Sequence, residues 1–103
     1  MKLETIGNYT FGMAGTAPDA SDFYEVAMMI IENHETKLNY PAPTDEPKVY
    51  IDSNDDENEF DIDLIRTMHI TTQYHNYIIG DMVEHDVDTS ENYCTFTLTK
   101  QID

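Results

Sequence analysis

One stretch of this chain shows most clearly the three- and four-residue spacing of an amphipathic helix. Its apolar members are Phe23, Val26, Ala27, Ile30 and Ile31. Because residues at this spacing share one side of a helix, the stretch predicts a helix with one buried face. The helix is expected to begin near Thr16, with Pro18 in its first turn, and to run to about Thr36. Met28 and Met29 are expected to fill the core beside it.

Most other apolar segments of the chain favour strands. A hairpin is predicted for residues 2–13 with its turn at Gly7-Asn8, and another hairpin turn is predicted at Gly80-Asp81. The strictest alternation of apolar and polar residues lies at 59–64. Further strands are predicted at 48–52, 68–79, 82–87 and 93–99, although the spacing at 68–79 also fits a helix.

These elements predict one α+β domain that spans residues 1–103. A chain of 103 residues is long enough for one hydrophobic core and too short for two. One main helix is expected to pack on a mostly antiparallel sheet of about five to six strands, with the other face of the sheet in water.

The charge of the chain is extreme. It has 21 acidic residues against five basic ones, a formal net charge of -16. A soluble small domain needs a net charge of only about 2 to 8, and a larger excess lowers stability through self-repulsion. Sixteen phosphates occupy about 27 Å of B-DNA, and a compact chain of this length is roughly 33 Å across. The charge density therefore resembles that of DNA, and direct binding to nucleic acid or an anionic membrane is not expected.

Two predicted strand segments place acids at every second residue. The two rows are Glu59, Asp61, Asp63 and Glu84, Asp86, Asp88. Alternation would set the carboxylates of a row about 6.7 Å apart on the solvated face of the sheet. The preceding polar loop adds Asp55, Asp56 and Glu57. Such rows indicate a cationic target, although an acidic outer face without a target is the simpler alternative.

Rows of carboxylates can take the place of phosphates in a basic groove. We therefore expect a DNA mimic that binds the basic surface of a nucleic-acid-binding protein, as small acidic phage inhibitors of restriction or CRISPR nucleases do. Tyr77, with Tyr50, Tyr74 and Tyr93, is expected to supply aromatic contacts. The alternative is a non-catalytic interaction module, such as an antitoxin or assembly factor, whose acidity serves solubility. Either protein would be a monomer or a homodimer.

The sequence gives little support for a metal site or for an enzyme. Asp52, Asn54, Asp56 and Asp63 match four ligand positions of an EF-hand loop, but Glu57 replaces the glycine that its turn needs. Weak binding of divalent ions is the most that we expect, with no dedicated metal site and no cofactor. The single cysteine cannot form an intramolecular disulfide, and no short pair of histidines is present. Without a P-loop, GxGxxG or nucleophile elbow, an enzyme is not expected.

The sequence also predicts where the chain acts. Its longest apolar run, residues 26–31, is far shorter than the roughly 20 residues that span a bilayer. The N-terminus lacks the basic-then-apolar pattern of a signal peptide. We therefore expect a cytoplasmic protein with no membrane partner, or one in the host cytoplasm if a phage encodes it.

Overall fold

The computed structural model describes residues 2–14, 18–54, 62–86 and 91–102. Its elements in chain order are β1 Leu3–Ala14, α1 Ala20–Lys37, β2 Lys48–Ser53, β3 Ile65–Thr71, β4 Asn76–Asp86 and β5 Glu91–Gln101. The helix packs on one face of a five-stranded antiparallel sheet. The predicted fold class, one helix on an antiparallel sheet in one small domain, is confirmed.

The strands follow the order β1-β5-β4-β3-β2 across the sheet. Strands β2 to β5 form a meander in which each pairs with the next, and β1 pairs with β5 along its whole length. The two edges are therefore β1 and β2, which are joined through α1. Because this connection runs from one edge to the other, the helix crosses the sheet and covers its central strands.

Asp19 caps the beginning of the helix. Its carboxylate accepts hydrogen bonds from the backbone amides of Ser21 and Asp22, and the Asp22 carboxylate accepts one from the Asp19 amide at 2.9 Å. This reciprocal capping box satisfies amides that have no partner within the helix. The hydrogen bond from the Ser21 hydroxyl is the main cause of a lowered pKa at Asp19. The helix thus begins at Ala20, later than the predicted start near Thr16.

Two residues beyond the last helical residue, Lys37, the chain adopts a left-handed conformation at Asn39, with φ of 64°. The Tyr40 amide donates to the Glu35 carbonyl and the Asn39 amide to the Thr36 carbonyl, which is the Schellman pattern. Asparagine tolerates this backbone conformation better than other residues with a side chain. The end at Lys37 agrees with the predicted end near Thr36, and residues 40–47 form the expected connector outside helix and strand.

The core lies between the helix and one face of the sheet. Strand β5 contributes Cys94, Phe96 and Leu98 at every second residue, as its alternation predicts. The ring of Phe23 packs edge-on against those of Phe11 and Phe96, with centroid distances of 5.1 and 6.0 Å. These contacts fix the first half of the helix on β1 and β5. Other fully buried members include Ala27, Ile31, Met68, Ile70, Tyr77 and Ile79.

The predicted core position of Met29 is wrong. Met28 packs against the core, but Met29 is 71% exposed. At about 100° per residue, Met28 lies about 100° around the helix from the buried Ala27 and Met29 about 160° from it, so Met29 is on the side away from the core.

Both predicted glycine turns are β-bulges within continuous strands. In β1 the extra residue is Ile6, between the pairs Thr5–Thr99 and Gly7–Leu98. In β4 the bulge lies between Gly80 and Val83, and Asp81 has φ of 52°. Gly-Asn and Gly-Asp pairs occur in bulges as well as in two-residue turns, and here Asp81 has a positive φ while Gly7 and Gly80 do not. The local sequence signal is the same, and pairing of both strands with β5 selects the bulge.

Two further strand boundaries differ from prediction. Residues 62–64 form a turn and the strand begins at Ile65, while 55–61 lie outside the described residues. The predicted strand at 68–79 is two strands joined by a tight turn at 72–75. The Thr72 hydroxyl accepts hydrogen bonds from the backbone amides of Tyr74 and His75, which closes this turn. Threonine is therefore a turn residue here, although its side chain favours strands.

Candidate functional site

The sheet has two faces with different surfaces. One is covered by α1 and is called the helix side. The other, the open face, carries no element within the described part of the chain. Its residues follow from strand register and include Tyr50, His69, Ile78, Val83, Tyr93 and the threonines at 95, 97 and 99.

The described side chains of the open face are balanced in charge, whereas acidic rows were expected there. Among the side chains that the structure describes, the cations Lys48 and Arg66 balance the acids Asp52 and Asp81. Both acids are engaged. Arg66 donates to Asp52 at 2.7 Å, and the Thr97 hydroxyl donates to Asp81 at 3.1 Å. Acidity is therefore not the property that distinguishes this face.

The bulge in β4 explains where the acids of that strand lie. Before it, Tyr77 and Ile79 face the helix, and after it Met82 and Glu84 do so. The extra residue shifts the alternation from odd to even positions. Glu84 pairs in register with the buried Cys94 and thus lies on the helix side of the sheet. The prediction that Glu84 lies on the solvated face is wrong.

The other acids predicted to bind a partner either lie off the strands or fall outside the described residues. Asp63 is exposed in the turn before β3 and not on a strand. Asp86 ends β4, but its side chain lies outside the described residues. The positions of six more also lie outside them: Asp55, Asp56, Glu57, Glu59, Asp61 and Asp88. The two acidic rows thus remain a prediction for most of their members.

Tyr77 is not a partner contact. It is fully buried, and its hydroxyl donates to Oε2 of Glu35 at 2.8 Å. Tyr77 pairs in register with Lys100, which lies on the helix side of the sheet, and this explains the burial of Tyr77. Tyr50 and Tyr93, by contrast, are 65% and 37% exposed on the open face. Tyr74 lies in the β3–β4 turn and donates to the Pro41 carbonyl at 2.7 Å.

The outer side of the helix carries an acidic surface that the sequence interpretation did not select. Glu25 and Glu32 are exposed with Met29 between them, and Asp45 and Glu46 are exposed in the following connector. Seven residues separate Glu25 from Glu32, about 10.5 Å along a helix. This distance is about the rise of three phosphates along one DNA strand. Helical periodicity alone places both glutamates outward, so the signal was present in the sequence.

Two of the five basic residues are engaged away from this surface. Lys100 is buried, and Arg66 is paired with Asp52 on the open face. Lys2, Lys37 and Lys48 are exposed. The longest principal extent of the molecule is 42 Å. Sixteen net charges over that length give about one per 2.6 Å, roughly two thirds of the density of duplex DNA.

A buried polar cluster anchors the end of the helix. Glu35 is 6% exposed, and Oε2 of its carboxylate accepts hydrogen bonds from the hydroxyls of Tyr77 and Thr72 at 2.8 and 2.7 Å. Burial and the nearby Glu35 carboxylate raise the pKa of Tyr77 far above its usual value. Glu35 follows Ile31 by four residues, so the helical period would have placed it inward. The cluster ties α1 to the β3–β4 turn.

Lys100 extends this cluster across β5. Its Nζ lies 3.1 Å from Nε2 of His34 and 3.5 Å from Oε2 of Glu4. Since an ammonium group only donates, His34 accepts and is neutral in this arrangement. Burial, and then the charge of Lys100, lowers the pKa of His34 and of His75. Among the described residues, no buried side-chain nitrogen or oxygen lacks a hydrogen-bond partner.

In the described part of the segment that resembles a calcium-binding loop, two of the candidate ligands bind Arg66. Arg66 donates to Oδ1 of both Asp52 and Asn54 at 2.7 Å, which occupies two of the candidate ligands. Asp56 lies outside the described residues. Within the described ranges, no group of three metal-ligating side chains is assembled. Cys94 is buried, and burial followed by the charges of Glu84 and Asp22 raises its pKa to about 11.

The comparisons with known proteins add no family. No family model, curated protein or solved structure matches this chain. In the described ranges, no helix is long and apolar enough to cross a membrane.

Proposed function

We propose that this chain is a non-enzymatic acidic protein that binds the basic, nucleic-acid-binding surface of another protein in the cytoplasm. It inhibits that protein by presenting carboxylates where phosphates would bind, as an anti-restriction or anti-CRISPR protein of a phage would do. The supporting observation is a net charge of -16 together with exposed acids on α1 and the connector. A basic groove attracts such a surface over long distances and raises the rate of association.

The helix gives this surface a fixed geometry. Its inner side is locked by Phe23 and Glu35, so the outer glutamates Glu25 and Glu32 are held on a rigid element. Met29, between them, offers an apolar contact that DNA lacks. The acids predicted for binding at 55–63, Glu59 and Asp61 among them, remain part of the proposed binding surface, and 55–61 lie outside the described residues.

A capture experiment tests this function. The full chain is immobilised, bacterial lysate is applied at low salt, and bound proteins are eluted by a salt gradient or by duplex DNA. We expect nucleic-acid-binding proteins that DNA displaces. Binding through about six carboxylates should weaken about a thousandfold between 50 and 200 mM salt, as the corresponding phosphate contacts do. A salt-resistant partner that DNA cannot displace would contradict mimicry and favour the interaction-module alternative.

Paired neutralisations then locate the surface. Glu25→Gln with Glu32→Gln should weaken binding to the captured partner about tenfold or more, because two charge contacts are lost. The matched control, Asp52→Asn with Asp81→Asn, removes the same charge from the open face and should change affinity less. The triple reversal of Glu59, Asp61 and Asp63 to Lys tests the predicted row. Equal effects of the two double variants would show that only net charge matters.

A further inference from the structure

The described part of the open face is neutral, although the molecule as a whole is highly acidic. Its described charges balance, whereas the described side chains elsewhere on the molecule include ten acids and three lysines. A surface that only needs solubility has no reason to differ from the rest of the molecule in this way. A surface that becomes buried in an interface does have a reason to carry less charge, because burying an unpaired carboxylate is costly.

Aromatic and apolar side chains are exposed on this neutral face. Tyr50 is 65% exposed and Val83 43%. Tyr93 stacks on His85 with ring centroids 4.6 Å apart and an angle of 9°, and Tyr50 contacts His69 at 5.9 Å. Each histidine also lies within hydrogen-bond distance of a threonine hydroxyl on the same face. Tyrosines held in place by neighbours contribute strongly to interfaces.

The size of the face suits a stable interface. Five strands at about 4.8 Å spacing give a width of about 24 Å, and strands of six to twelve residues give lengths of about 20 to 40 Å. The area is therefore roughly 700 Å², close to the about 800 Å² that each partner buries in a typical complex.

The net charge of the chain indicates which molecule covers the open face. Two molecules of charge -16 repel through their acidic surfaces, and the open face is where they can meet with the outer helical acids pointing away. An isologous contact would set the same tyrosines and threonines on both sides of the interface. We propose that a second copy of this chain packs open face to open face, which forms a dimeric β-sandwich with the helices outside. This proposal does not depend on the identity of the acidic surface's partner.

Sedimentation velocity of the full chain tests the dimer. We expect a dimer that becomes tighter as salt rises, because screening reduces the repulsion between the two copies. Val83→Glu should weaken it about a hundredfold or more, because each dimer then buries two unpaired carboxylates. The matched control is Met29→Glu, which adds the same charge at an exposed apolar residue on the helix and should affect the dimer far less.

A second variant keeps the proposal testable if Val83→Glu fails to fold. Tyr50→Glu lies on the edge strand β2 at a highly exposed position, and far-UV circular dichroism reports whether either variant retains its fold. If Val83→Glu unfolds the chain, Tyr50→Glu decides. A wild-type monomer at all concentrations and salts would overturn the proposal. So would a dimer that survives the open-face substitution in a folded variant, since its contact would then lie elsewhere, for instance at the β1 edge.

Discussion

The two faces of the sheet are built from the same strands but differ in burial, because alternate residues of each strand point into the core or onto the open face. On β5, Phe96 and Leu98 enter the core, while Thr95, Thr97 and Thr99 lie on the open face. Beyond the core, the helix side exposes acids on α1, and the open face exposes neutral threonines and tyrosines. Among the described side chains, the charge is therefore not spread evenly as a solubilising coat would be. It is concentrated away from one face.

This contrast has a direct consequence for binding. Association through the outer acids should weaken as salt rises, whereas association through the open face should strengthen. The two surfaces can therefore be distinguished with the same chain in one buffer series.

The largest effect should come from the inward side of β5. Phe96→Ala removes a ring that contacts Tyr9, Phe11 and Phe23, and should lower the free energy of unfolding by about 3–5 kcal/mol. Its neighbour Thr97 hydrogen-bonds only at the open surface, and Thr97→Ala should cost about 1 kcal/mol or less. Urea unfolding followed by circular dichroism measures both. Similar losses for the two variants would mean that the open face is a second core surface.

Much of this contrast could be predicted from the sequence. The spacing of Phe23, Ala27 and Ile31 and the alternation of Cys94, Phe96 and Leu98 depend on local periodicity, and the structure buries all six. Lys100 shows the limit of the pattern, because it continues the buried alternation as a charged residue. It is tolerated there because His34 and Glu4 meet its ammonium group.

The acidic rows could not be placed by the same reasoning. Gly80-Asp81 is equally compatible with a turn and with a bulge, and the choice depends on whether β4 continues its pairing with β5. That pairing is long-range and invisible in the local sequence. One extra residue then moves Glu84 to the other face, so an error of one position reverses the functional interpretation.

A smaller effect concerns pH and the helix side alone. The pKa values of His34 and His75 are lowered from 6.5, first by burial and then by Lys100, against the opposing charges of Glu35 and Glu4. The unfolded chain therefore binds more protons near this pH, so stability is full above about 6.5 and is lost as pH falls through the lowered values. Urea unfolding between pH 7.5 and 5 should show this loss.

The variant His34→Gln with His75→Gln should flatten that dependence. Measurements that stop at pH 5 avoid Asp19, whose lowered pKa takes effect only below 3.8. A wild-type stability that stays constant over this range, or a slope that the double variant retains, would rule out these two histidines as its source.

The smallest effect should come from the open face. The hydrogen bond from Arg66 lowers the pKa of Asp52, but both side chains are exposed to water, where an ion pair contributes little to folding. Arg66→Ala should therefore leave the unfolding midpoint nearly unchanged at neutral pH. In an NMR titration, the Asp52 carboxyl should return toward its ordinary pKa, and the stability that depended on its lowered pKa, present above 3.8 and lost in acid, should disappear. A large loss of stability at neutral pH would show instead that Arg66 supports the fold, and that the charge balance of the open face is a structural requirement of the monomer.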